Sequence, residues 1–232
     1  PDGGVLFAQE QPSIVRKLDK NDFDSAYAKD THGAGAVAMD YHGRVIAVQR
    51  TCTDPGRAPL PCTEPTKVSI VYPDKERKVL VDNAQGKPLD RPSDVVVDKK
   101  DTVYFTAGAV FYIKPGGQAI PLGNDIRANG IMLSPDEKRL YVTNGPVIVA
   151  FDIQPDGTVN NRRDFGKLQG GNGDGLAVDA AGRLYVATQP FGIQVFSPEG
   201  MHIGSIPTPR DVASLAFAGP GKKMLYMTGG GA

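Results

Sequence analysis

Tryptophan is absent from this 232-residue chain, histidine occurs three times and cysteine twice. No excess of either charge exists: 26 Lys plus Arg balance 26 Asp plus Glu. A neutral chain has no long-range pull on polyanions, which argues against nucleic acid as a partner. No apolar run approaches the ~18 residues of a membrane span. His32, His42 and His202 are too scattered to show metal-ligand spacing. There is no Gly-x-Ser-x-Gly elbow, so a serine hydrolase is disfavoured. The glycine-rich stretch Gly170-Gly171-Asn172-Gly173-Asp174-Gly175 leads into a strand pattern with no Lys-Ser/Thr, so it is not a phosphate loop. No Asn-x-Ser/Thr sequon and no secretory leader is visible. The chain opens at Pro1-Asp2-Gly3-Gly4, which reads as the inside of a turn, so the natural N-terminus is expected upstream.

What the chain has is glycine, 28 residues, and proline, 19, the punctuation of many short strands. It also has a repeat: an alternating apolar strand, an acidic or glycine-containing turn, then a second strand. The copies read Val37-Ala38-Met39-Asp40 with Arg44–Val48, Val95-Val96-Val97-Asp98 with Thr102–Phe105, and Ile131-Met132-Leu133-Ser134 with Arg139–Val142. They continue as Leu176-Ala177-Val178-Asp179 with Arg183–Val186, and Leu215-Ala216-Phe217-Ala218 with Met224–Met227. A half copy, Val5–Ala8, opens the chain. Matched second-strand positions are Leu6, Ile46, Tyr104, Tyr141, Tyr185 and Tyr226, spaced by 40, 58, 37, 44 and 41 residues.

Periods near 40 leave room for two more strands per copy. These are legible at 13–18, 68–73, 78–82, 110–114, 147–151, 193–196 and 202–206. The pattern predicts an all-β, six-bladed β-propeller in which the N- and C-terminal segments share one incomplete blade. A β-sandwich does not account for the copies. The whole chain, 1–232, is expected to form one propeller domain truncated at both ends. The long spacing is an insertion over 51–66 that holds Cys52, Cys62 and four prolines. A disulfide between the two cysteines is expected to staple this loop, which favours a periplasmic or secreted protein over a cytoplasmic one.

The repeat also points to a site. Rotation about a propeller axis turns a shared register into a shared height, so residues just before each first strand are expected to ring one mouth of the channel. Two positions before each strand stand Gly35, Ser93, Asn129, Asp174 and Ala213. A hydroxyl, an amide and a carboxylate in consecutive copies resemble a hard-cation site. Asn129-Gly130 and Asp174-Gly175 are also ordinary turn dipeptides, the plainer reading of each alone. Four positions before the strands stand Gly33, Arg91, Arg127, Asn172 and Asp211. Arg91 is a candidate for an anionic or hydroxylated ligand, against a solvated loop charge. His32, on the same mouth, is a further candidate substrate contact.

These segments resemble the gluconolactonase, regucalcin (senescence marker protein) and luciferin-regenerating-enzyme family across essentially the whole chain. The resemblance rests on Arg91–Asp98, Asn129–Asp136, Gly173–Asp179 and Gly192–Gly200, in that order. It implies a metal-dependent lactonase with a Glu, an Asn and an Asp as ligands. Asn129 and Asp174 match two of them, and the Glu is expected upstream of Val5. The family's Arg-x-Asn substrate segment maps onto Arg91 and Ser93, with Ser93 in place of Asn.

The implied cofactor is a divalent metal ion, calcium first, with zinc, magnesium or manganese as alternatives. The implied substrate is a lactone, with a sugar acid as the product-like ligand, and a monomer is expected. Asp174 is the candidate catalytic residue, as ligand, base or both. The alternatives are a non-catalytic ligand-binding or scaffold propeller, or an enzyme resembling strictosidine synthase or paraoxonase.

Overall fold

A computed structural model describes residues 3–50, 64–123, 125–190 and 192–229. It divides into two compact units, residues 1–124 and 125–232. The cysteines Cys52 and Cys62, and with them the expected disulfide, lie outside the described residues.

In the first unit three antiparallel sheets follow one another. The first is β1 (Val5–Gln9), β2 (Ile14–Leu18) and β3 (Asp24–Ala28). The second is β4 (Ala34–Met39), β5 (Val45–Gln49), β6 (Lys67–Tyr72) and β7 (Lys78–Val81). A short ribbon, β8 (Asn83–Ala84) with β9 (Lys87–Pro88), leads to the third. That sheet is β10 (Pro92–Val97), β11 (Val103–Ala107), β12 (Ala109–Ile113) and β13 (Ile120–Pro121).

The second unit holds β14 (Ala128–Leu133), β15 (Arg139–Asn144), β16 (Val147–Ile153) and β17 (Val159–Lys167) as one sheet. Next comes β18 (Asn172–Val178), β19 (Leu184–Gln189), β20 (Gly192–Phe196) and β21 (His202–Ile206). A final hairpin is β22 (Ser214–Ala218) with β23 (Met224–Thr228). Helix among the described residues is confined to two single 3₁₀ turns, Asp74–Glu76 and Pro220–Lys222.

Each strand follows its side-chain pattern. The second strands β5 and β11 are buried along their whole length, as expected for strands covered on both faces. Faces of successive sheets pack directly. Ile46, Val48 and Ile70 meet Val95, Val97 and Phe105 in the first unit. Tyr141 and Ile148 meet Leu176, Val186 and Phe196 in the second. Phe105 stacks on Phe111 at 5.2 Å between centroids, and burying one such ring is worth roughly 1.5–3 kcal/mol.

Three of the first strands are followed by an aspartate with a local structural role. One Asp40 carboxylate oxygen accepts from the backbone N–H groups of His42 and Arg44. Asp98 does the same for Lys100 and Thr102, and Asp179 for Ala181 and Arg183. These bonds close the tight turn and set the hairpin register.

Blade number departs from the expected six. There are five blade sheets of three or four strands among the described residues, and the last repeat stays a two-stranded hairpin. The first and last segments form separate sheets instead of one shared blade.

Candidate functional site

Four first strands carry one extra residue at the same register. The ladder shifts between Ala34 and Ala36, Pro92 and Val95, Ala128 and Ile131, and Gly173 and Leu176. Gly35, Ser93, Asn129 and Asp174 therefore all lie in β-bulges. A bulge takes a residue out of the ladder and re-aims its side chain, a device that recurs beside active sites. The Asn-Gly and Asp-Gly pairs are not hairpin turns here, because both lie inside strands, β14 and β18.

In the second unit the bulges of β14 and β18 are held by backbone contact and one hydroxyl. A Cβ on Gly130 would collide with the carbonyl oxygen of Asp174. A Cβ on Gly175 would lie 2.7 Å from the Ala213 carbonyl oxygen, which accepts the Gly175 N–H at 2.8 Å. Thr143 of β15 is fully buried. Its hydroxyl accepts from the Gly130 N–H at 2.7 Å and donates to the Asp174 carbonyl at 3.2 Å. Two neighbouring bulges are thus fixed together, with the side chains of Asn129 and Asp174 half-buried.

In the first unit a hydroxyl and a charged pair hold the same register. Thr106, the counterpart of Thr143, accepts from the Asp94 N–H at 3.0 Å. Arg50, just past β5, donates from Nε to the Pro92 carbonyl at 2.9 Å and from Nη2 to the Ser93 carbonyl at 3.4 Å. Its Nη1 pairs with Glu10 at 2.7 Å, and the Glu10 side chain is only 8% exposed. The other Glu10 oxygen lies 3.5 Å from Nη2 of Arg91, whose side chain is 46% exposed. Burial first, then the neighbouring Arg50 charge, pulls the Arg91 pKa below the usual guanidinium value, with Glu10 opposing both. His32 is exposed, with Nδ1 3.7 Å from a Glu64 carboxylate oxygen.

The amide of Asn129 and the carboxylate of Asp174 are hard oxygen donors of the kind calcium takes, two toward the about six to eight it wants. Among the described residues no group of three His, Cys, Asp or Glu comes together that could hold an ion. Glu10, Arg50, Thr106 and Thr143 were not singled out from sequence. The repeat did carry a signal for them: Glu10 and Arg50 stand four past the matched positions Leu6 and Ile46, and the threonines two past Tyr104 and Tyr141.

Comparison with known proteins follows this geometry. A gluconolactonase of Zymomonas mobilis is 32% identical over 163 residues, covering 57% of this chain and 46% of its own length. The chain spans about half the length of the curated relatives it matches. A gluconolactonase from Xanthomonas campestris has a similar fold, with a TM-score of 0.82 at 23% identity over 99% of this chain and 80% of that one. A calcium-binding regucalcin from Agrobacterium tumefaciens gives 0.74 at 15% identity, over 98% and 78%. These likenesses show an all-β propeller fold. The family model described as SMP-30/Gluconolactonase/LRE-like region matches residues 13–231, and the chain belongs to that family.

Proposed function

We propose that this protein is a divalent-metal-dependent hydrolase of a lactone, a sugar lactone or a related cyclic ester. The observation that supports this reading is the pair of locked bulges, which keep the backbones that carry Asn129 and Asp174 at register-equivalent places. Asn129 and Asp174 would hold the ion, calcium by the oxygen chemistry of the donors. When bound, such an ion polarises the ester carbonyl and stabilises negative charge on its oxygen.

The chain's own residues account for the remainder. Asp174 has a second carboxylate oxygen to take a proton from the attacking water. Thr143 and the two bulge glycines keep the Asp174 backbone from shifting, so its carboxylate is presented without a reorganisation cost. Arg91 and Ser93, by their place in the family's substrate segment, are assigned to substrate hydroxyls or a carboxylate.

Replacing Asp174 tests the assignment. Asp174→Ala is expected to lower kcat/KM on a panel of sugar lactones by on the order of a hundred- to a thousandfold, with the melting temperature retained. Exhaustive chelation should do the same, and added calcium should restore the rate. Undiminished turnover after chelation, or with Asp174 replaced, would overturn the metal mechanism. Tight sugar-acid binding with no turnover would replace the hydrolase by a binding platform.

A further inference from the structure

Arg50 is placed unlike a substrate-binding arginine. Its side chain is only 15% exposed, and three of its nitrogens are committed: one to Glu10, two to the carbonyls of Pro92 and Ser93. Ser93 lies in the bulge, outside the ladder register of β10 and β11, so its backbone lacks the strand pairing that would otherwise hold it. A planar guanidinium grips two successive carbonyls and a carboxylate from three separate nitrogens, whereas an ammonium offers its donors from a single point.

The route that Arg50 takes is also provided for. Gly35 is the bulge residue of Arg50's own sheet, and a Cβ there would collide with the guanidinium. One sheet leaves its bulge position without a side chain, and the arginine beside it crosses that gap to hold the next sheet's bulge. Glu10, nearly buried, holds Arg50 with one oxygen and faces Arg91 with the other.

We propose that Glu10 and Arg50 are positioning residues: they fix the Ser93 bulge and aim Arg91, and so set substrate affinity without entering the chemical step. The kinetic part rests on the lactonase reading above, and the structural part does not. The side chains that differ most in exposure within this cluster, Glu10 and Arg91, divide the work between a buried anchor and a half-exposed reporter.

The test uses Arg50→Gln and Arg50→Lys, with Gly35→Ala as a variant that keeps Arg50 but blocks its path. On lactone substrates, each is expected to raise KM about tenfold or more while kcat stays within about threefold, because only binding geometry is lost. Restoration of the wild-type KM in Arg50→Lys would overturn the idea, since a single nitrogen cannot reproduce the spread of the three guanidinium nitrogens toward their acceptors. A parallel collapse of kcat and melting temperature in all three variants would also overturn it. Backbone hydrogen exchange over residues 92–95 supplies a readout free of activity. If the wild-type protein hydrolyses no lactone, the hydrolase reading fails and exchange alone decides. Faster exchange of the Ser93 and Asp94 amides in Arg50→Gln supports the clamp, and unchanged exchange overturns it.

Discussion

The two units hold the same bulge register by different means. In residues 125–232, glycines press backbone on backbone, and a buried threonine hydroxyl bridges two sheets. In residues 1–124, a threonine hydroxyl also bonds the bulge, but the hold between sheets comes from a largely buried arginine and a glutamate 40 residues away in sequence. Contact between backbones has no slack, whereas a side chain can turn away at modest cost. The first arrangement leaves the Asn129 and Asp174 backbones little freedom, and the second leaves the Ser93 bulge dependent on a side chain.

The sharpest way to break this contrast is to add a methyl to each bulge. Gly130→Ala drives a Cβ into the Asp174 carbonyl and is expected to cost about 3 kcal/mol, read as a lower urea midpoint. Gly35→Ala meets a side chain that can rotate, so about 1 kcal/mol is expected, with the rise in KM described above. Equal costs would show that both bulges are held in the same way.

Removing the hydroxyls sharpens the comparison further. Thr143→Val strands the Gly130 N–H, which is buried, and is expected to destabilise by about 2 kcal/mol. Thr106→Val removes a bond to the half-buried Asp94 N–H, and about 1 kcal/mol is expected.

Acid tests the carboxylates of residues 125–232. Asp136 lies below the ordinary carboxylate range because the Ser134 hydroxyl and the Lys138 N–H bond its anion. At Asp179 burial pushes upward, but the Arg183 N–H and guanidinium and the Ala181 N–H outweigh it. Asp152 is held low chiefly by Arg163. A depressed folded pKa means stability that is present above the unfolded value of about 4 and is lost as pH falls through the folded value. Stability should be flat from neutral pH to about 5 and fall below about 4, with Asp136→Asn and Asp179→Asn flattening the fall. An acid titration as steep in the double variant as in the wild type would remove these carboxylates from the account.

The smallest effect belongs to the surface. Arg16 and Asp24 pair at 2.7 Å with both side chains partly exposed. Arg16→Ala is expected to leave the urea midpoint nearly unchanged, and to lose even that small difference in high salt.

Not every strand was equally legible. β17, with Asn160, Asn161, Arg162, Arg163 and Asp164 exposed, has little apolar pattern beyond Val159 and Phe165, yet it pairs along β16 through two bulges as an outer edge strand. β3 is shorter, with Asp24 and Ala26 exposed, and its place comes from pairing with β2. An outer strand is held by its neighbour's hydrogen bonds, and its composition mainly keeps the edge soluble.

The inner hairpins are the part that the sequence by itself determined. In all five, the matched positions pair alike: Ala38 with Ile46, Val96 with Tyr104, Met132 with Tyr141, Ala177 with Tyr185, and Ala216 with Tyr226. Period-two burial and a side chain that closes the turn within four residues are local, so they can be read locally. Tertiary structure decided what that register is used for. Arg50 reaches Pro92, 42 residues on, and Thr143 reaches Asp174, 31 residues on. No local pattern specifies such partners, because they become neighbours only when one sheet's face packs on the next, and that packing turns a glycine or a threonine from a strand residue into part of a site.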